Sequence, residues 1–165
     1  MDNKQNLFVI TLFYGALWGV LEATLGYFLH MLPCGFAGMF MFPIGFYFMY
    51  NAYRTTNKHS VLLATAVIAA SIKLIDLVLP FNTVMGAVNP AASIILEGLI
   101  VFAGVKIFTY KKKYLLAFST SLAWPLLFPI LQSLLFTPDS FAPLGTIGFI
   151  ILTTLVGFTI IATYL

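Results

Sequence analysis

Six apolar runs, each near 20 residues and bounded by polar residues or Gly/Pro clusters, occupy most of the chain: 7–29, 33–50, 61–80, 90–110, 114–136 and 144–164. Runs of that length match a hydrocarbon layer about 30 Å thick, crossed by a helix rising about 1.5 Å per residue. The period-two alternation of a membrane barrel is absent from the sequence. Helices satisfy their own backbone hydrogen bonds in lipid, so the pattern predicts an all-α integral membrane protein, a compact bundle of about six transmembrane helices. The second run contains Pro33, Gly35, Gly38, Pro43 and Gly45, and the fifth contains Pro125 and Pro129. Kinks or breaks are expected in both, and either could line a cavity.

Composition strengthens the membrane reading. Of 165 residues, 61% are hydrophobic and 8% are charged, where a soluble domain would have about a quarter charged. No linker-like or low-complexity stretch divides the chain, so residues 1–165 read as one transmembrane domain. The first run is longer than a signal-peptide core and carries Glu22 where a cleavage region would lie, which favours a retained first span. The lone Cys34 forms no internal disulfide and reads as a small packing residue.

Charge placement sets orientation. Lys4, then Arg54 and Lys58, then Lys111, Lys112 and Lys113 occupy the N-terminus and alternate loops, while 30–33, 81–89 and 137–143 hold no Lys or Arg. The positive-inside rule therefore puts both termini in the cytoplasm of a multi-pass protein of the cell membrane, inner or plasma. Topology accounts for the net charge of +3, and no nucleic-acid partner is expected.

Against this apolar background, Glu22, Lys73, Asp76 and Glu97 lie within the spans. Counted from outer helix ends near His30, Pro80 and Pro90, Glu22 lies about 12 Å deep, Lys73 and Glu97 about 10 Å, and Asp76 about 6 Å. All four fall in the outer half, on three helices. A charged group in the span costs roughly 2.5 to 3.5 kcal/mol, so these must face one another, water or a ligand. Lys73 and Asp76 are three residues apart on one face and can pair. With all four ionised, two negative charges are left over, so a glutamate carries a proton or the site binds a cation or a donor-rich polar ligand. The alternative is a polar lock in which Lys73 bridges Glu97 or Glu22 and specifies helix packing.

Other candidates for the same substrate-binding site are Asn89, near the outer turn with Asn82, and Gln132, near the outer end of the fifth span, with Thr146 at the start of the sixth. Trp18 precedes Glu22 by one turn, and Trp124 begins a Trp-Pro step; either indole could wall a pocket or simply pack. Gly15, Gly19 and Ala23 form a small-residue strip on the first span that lets another helix approach closely, either an internal helix or a partner's.

Phosphate-cradling loops, HExxH and GxSxG are absent, so no enzyme and no cofactor are expected. His30 and His59 fall on opposite sides, and no metal site is expected. With about six helices, cytoplasmic ends, no ATPase motif, the strip at Gly15, Gly19 and Ala23 and an outward polar pocket, the chain resembles the S component of energy-coupling factor (ECF) vitamin transporters. The resemblance implies that a vitamin-like solute binds from outside and that a T component and a pair of ATPases supply the energy. It further implies that Gly15, Gly19 and Ala23 dock on the T component. The family's strip is alanine-based, whereas this one begins with two glycines, and the Met-His start of nickel and cobalt members is replaced by Met1-Asp2-Asn3-Lys4. The primary expectation is a membrane substrate-binding or transport subunit for a small polar or cationic solute, dependent on partner subunits. A self-sufficient proton- or cation-coupled carrier and a structural or assembly subunit are the competing expectations.

Overall fold

The computed structural model describes residues 3–30, 36–78, 84–108, 112–135 and 147–165, and no strand occurs among them. α1 (Asn3–Leu21) passes through a π-helical turn (Glu22–Gly26) into the short α2 (Tyr27–His30). α3 (Phe36–Thr56) and α4 (Ser60–Lys73) follow, then a 3₁₀ turn (Leu74–Val78) and α5 (Val84–Ile107), α6 (Lys113–Leu135) and α7 (Ile147–Tyr164). Pro33, Cys34, Gly35, Asn82, Thr146, Lys111 and the 137–143 loop lie outside the described residues, as does the side chain of His30.

Among the described residues, five stretches are long and apolar enough to cross a membrane: Gln5–Leu29, Ser60–Val78, Val84–Ile107, Lys113–Leu134 and Ile147–Tyr164. The protein is therefore all-helical and consistent with a multi-pass membrane protein. α3, expected as an equivalent sixth span, is long enough but is not among the five. Tyrosines, glycines and Pro43 dilute its apolar character, and packing explains why that is tolerated. α3 touches α1, α4, α5 and α7, and buries Phe42, Phe46, Met49 and Ala52. It faces protein more than lipid. The peripheral helices do the reverse: Phe8, Phe13 and Val20 on α1, Leu126 and Ile130 on α6, and Ile151 and Leu155 on α7 are exposed. An apolar exterior on this scale suits hydrocarbon rather than water.

Two boundaries differ from the sequence expectation. α3 continues to Thr56 instead of ending at 50, and it stops where Asn57 takes the left-handed conformation (φ 54°) and its N–H donates to the Tyr53 carbonyl at 2.7 Å. Asn tolerates that conformation at a helix C-terminus. α5 begins at Val84 instead of 90, with Pro90 inside it. Neighbouring helices let a span accommodate a proline, so Pro90 does not mark the start. Glu97 is then about 20 Å along α5, twice the expected depth, nearer the middle of the span than its outer end.

The glycine strip of α1 has an internal use. A Cβ on Gly15 would lie 2.8 Å from Cβ of Ile68, and one on Gly19 would lie 2.8 Å from Cβ of Ile72. α4 therefore makes the close approach at Gly15 and Gly19, the internal one of the two alternatives for the strip, because both glycines are buried against it.

Two glycines of α3 seat the indoles. A Cβ on Gly38 would collide with the Trp124 ring, and one on Gly45 would lie 2.5 Å from Cζ2 of Trp18 and 2.9 Å from Oε2 of Glu97. Trp18 and Trp124 are almost fully buried, so neither can swing aside into open space. Overpacking a filled interior costs about 1–3 kcal/mol. Gly45→Ala should lower thermal stability in detergent by that amount, and a variant as stable as the wild type would show that the seat is loose.

Candidate functional site

Lys73 is the last residue of α4 and is 2% exposed. Beyond it the backbone tightens to three residues per turn, which eclipses side chains at i and i+3. Asp76 thus lies over Lys73, and the Nζ to Oδ2 distance is 2.7 Å. Nζ also donates to the backbone carbonyl of Glu22 at 3.2 Å. That carbonyl opens the π turn of the first span, where the regular α pattern is interrupted. One ammonium therefore ties together the irregular turns of two helices, and holds the segment that aims Glu22.

The Glu22 side chain makes no bond to this pair, although the Lys73 ammonium acts on it electrostatically. Its Oε1 accepts the Trp18 Nε1–H at 3.3 Å, and the residue is buried. Glu97 approaches from α5, where its Oε1 accepts the Ser93 hydroxyl at 3.4 Å while its Oε2 has no hydrogen-bond partner. Glu22, Ser93 and Trp124 are its polar neighbours, and Glu97 itself is 2% exposed. The Trp124 ring is clamped between Phe42 (centroids 5.9 Å apart) and Phe128 (4.9 Å), while its Nε1–H is also unpartnered. Asn89, Ser93 and Glu97 recur every four residues, so they form one polar line along α5. At its N-terminal end Asn89 Oδ1 accepts from Gln132 Nε2 of α6, and Gln132 is fully buried with Oε1 unpartnered.

These contacts fix the partners of Lys73. Lys73–Asp76 is the one ion pair among the described residues. Glu22 and Glu97 are left as two buried, neighbouring carboxyl groups with no cationic side chain bonded to either. The expected lock, with Lys73 bridging Glu97 or the Glu22 side chain, takes a different form: Lys73 reaches only a main-chain oxygen of Glu22. The site is therefore two connected parts, a closed Lys73–Asp76 clamp and an open glutamate pair.

Chemically, the open part presents acceptors at Glu22, at Oε2 of Glu97 and at Oε1 of Gln132, with the Trp124 indole N–H beside Glu97. Buried polar atoms left this way are uncommon, because each carries a desolvation cost of about 1–3 kcal/mol. An ammonium or other N–H-rich cation would satisfy more of them than an anion would. No three His, Cys, Asp or Glu side chains converge into a metal set among the described residues.

All seven substrate-site candidates lie in these interior contacts: Trp18, Glu22, Lys73 and Asp76 as one group, Glu97 beside Glu22, and the linked Asn89 and Gln132 towards the N-terminal end of α5. Ser93, Phe42 and Phe128 belong there as well and escaped sequence reasoning. The four-residue spacing of Asn89, Ser93 and Glu97 was a usable signal, hidden by reading Pro90 as the start of the helix. No family model, no curated protein and no solved structure matches this chain.

Proposed function

We propose that this chain is a substrate-binding subunit of a membrane transporter, which takes a small cationic, vitamin-like solute bearing N–H groups from outside and depends on partner subunits for energy. The observation that carries the proposal is the pair of buried, neighbouring glutamates, Glu22 and Glu97, neither of which forms an ion pair among the described residues. Removing an ionised carboxylate from water costs several kcal/mol unless a charge accompanies it. A bound cation supplies that charge.

The direction of entry follows from two features. The basic loops mark the cytoplasmic side, and the Asn89–Ser93–Glu97 line leads inward from the opposite end of α5. Dependence on partners follows from the lack of any ATP-hydrolysing motif, and an ECF-type T component with its ATPases fits that need. In this role the Lys73–Asp76 clamp holds the site's shape, while the glutamates hold the solute.

Native mass spectrometry of protein extracted gently from its host tests the proposal. The expected spectrum shows a small organic cation on the chain together with a T component or ATPase. Preparations that never carry solute or partner would overturn it. A proton-coupled carrier uses the same glutamate pair but needs no partner, so solute uptake into proteoliposomes containing only this chain would favour that second reading.

A further inference from the structure

We propose that a crevice between α1 and α7 is a binding site for an anionic phospholipid, with an acyl chain on the Pro43–Tyr47 surface of α3 and the phosphate against Arg54. The crevice encloses about 450 Å³ and is floored by α3 at Pro43, Ile44 and Tyr47, with Leu21 on one wall and Ile160 and Tyr164 on the other. Apart from tyrosines and Thr163 its lining is apolar, so it offers hydrocarbon contacts and no site for a water-soluble ligand along its length.

The end of the crevice is different. The Tyr164 ring packs edge-on against Tyr47 at 4.7 Å between centroids, and the polar neighbours of its phenol include Arg54 and Asn51. Pro43, Tyr47, Asn51 and Arg54 follow one another along a single face of α3, at intervals of four, four and three residues. The apolar floor therefore runs directly to a guanidinium. Arg54 is exposed and has no acidic partner among the described residues.

This arrangement is amphipathic in the same sense as a lipid. Tyrosine and arginine are residues of the membrane interface, and a guanidinium binds phosphate through two parallel N–H bonds. Charge complementarity selects among lipids. A phosphatidylcholine phosphate carries its own ammonium, whereas phosphatidylglycerol brings an uncompensated negative charge to Arg54. A basic side chain near the surface favours an anionic lipid by a factor of roughly five. The site is separate from the glutamate pair, so its test does not depend on the transport proposal.

The full chain, purified with a mixture of phosphatidylglycerol and phosphatidylcholine of matched acyl chains, is examined by native mass spectrometry. The wild type should retain phosphatidylglycerol about fivefold over phosphatidylcholine. Arg54→Gln should bring that ratio close to one, while Lys112→Gln, on a different loop, should leave it unchanged. Ile160→Trp should fill the crevice and reduce retention of both lipids; if that variant fails to fold, the Arg54→Gln and Lys112→Gln arms still decide. A wild-type ratio near one, a ratio that survives Arg54→Gln, or equal losses in Arg54→Gln and Lys112→Gln would each overturn the proposal.

Discussion

Lys73→Met should lower the unfolding free energy by about 3–5 kcal/mol, because it leaves the Asp76 carboxylate buried without its cation. It also removes the donor from the Glu22 carbonyl, so both irregular turns lose their tie. Thermal unfolding in mild detergent measures the loss, and an unchanged midpoint would mean that water or another group replaces the ammonium. Lys73→Met combined with Asp76→Leu should recover most of the stability, since replacing both members of a buried pair with apolar groups is often neutral or better. The double variant also separates the roles of the two parts. If it folds and still binds solute, the clamp is structural; if it folds and does not bind, Lys73 or Asp76 contacts the solute and the division into clamp and open pair fails.

The second large effect concerns binding. Glu97→Gln keeps the shape of the side chain and an acceptor for the Ser93 hydroxyl, but removes the negative charge. Deleting one partner of a buried charged contact costs about 2–5 kcal/mol in affinity, which corresponds to roughly 30-fold or more. Retention of the solute adduct should fall accordingly, whereas thermal stability should change little or rise, because a buried carboxylate has been neutralised. Affinity equal to that of the wild type would remove Glu97 from the site. Unfolding of the variant would instead assign Glu97 to the packing of the bundle.

Much of the helical architecture was legible because lipid imposes a simple rule: apolar length predicts a span. Three features escaped that rule, and each depends on contacts between helices. α3 extends past position 50 although its end is polar and aromatic, and Tyr50 and Tyr53 meet Tyr164 and His59 there, contacts that no hydropathy pattern encodes. Pro90 resembles a helix start in isolation, yet α5 continues through it. Gly15 and Gly19 offer the same small surface to an internal helix as to a partner, and only the fold shows Ile68 and Ile72 filling it.

The site was partly legible for a related reason. Ionisable residues are so scarce in the spans that Glu22, Lys73, Asp76 and Glu97 identify themselves. Their pairing was less accessible, since a spacing of three allows Lys73–Asp76 but does not exclude longer reaches. The tightened 3₁₀ turn after Lys73 decides the matter by eclipsing the two side chains. Gly38 and Gly45 counted only towards a kink or break in the second run; their part in seating Trp124 and Trp18 requires three helices to be in place.

Those seats also give the protein its own optical reporter. The chain has 2 tryptophans, and both belong to the site: Trp18 bonds Glu22, and Trp124 borders Glu97. Excitation selective for indole therefore samples this one region against a background of tyrosine and phenylalanine elsewhere. A solute arriving at the glutamates should alter the emission of the unmodified protein, so occupancy can be followed in the purified protein without attaching a probe.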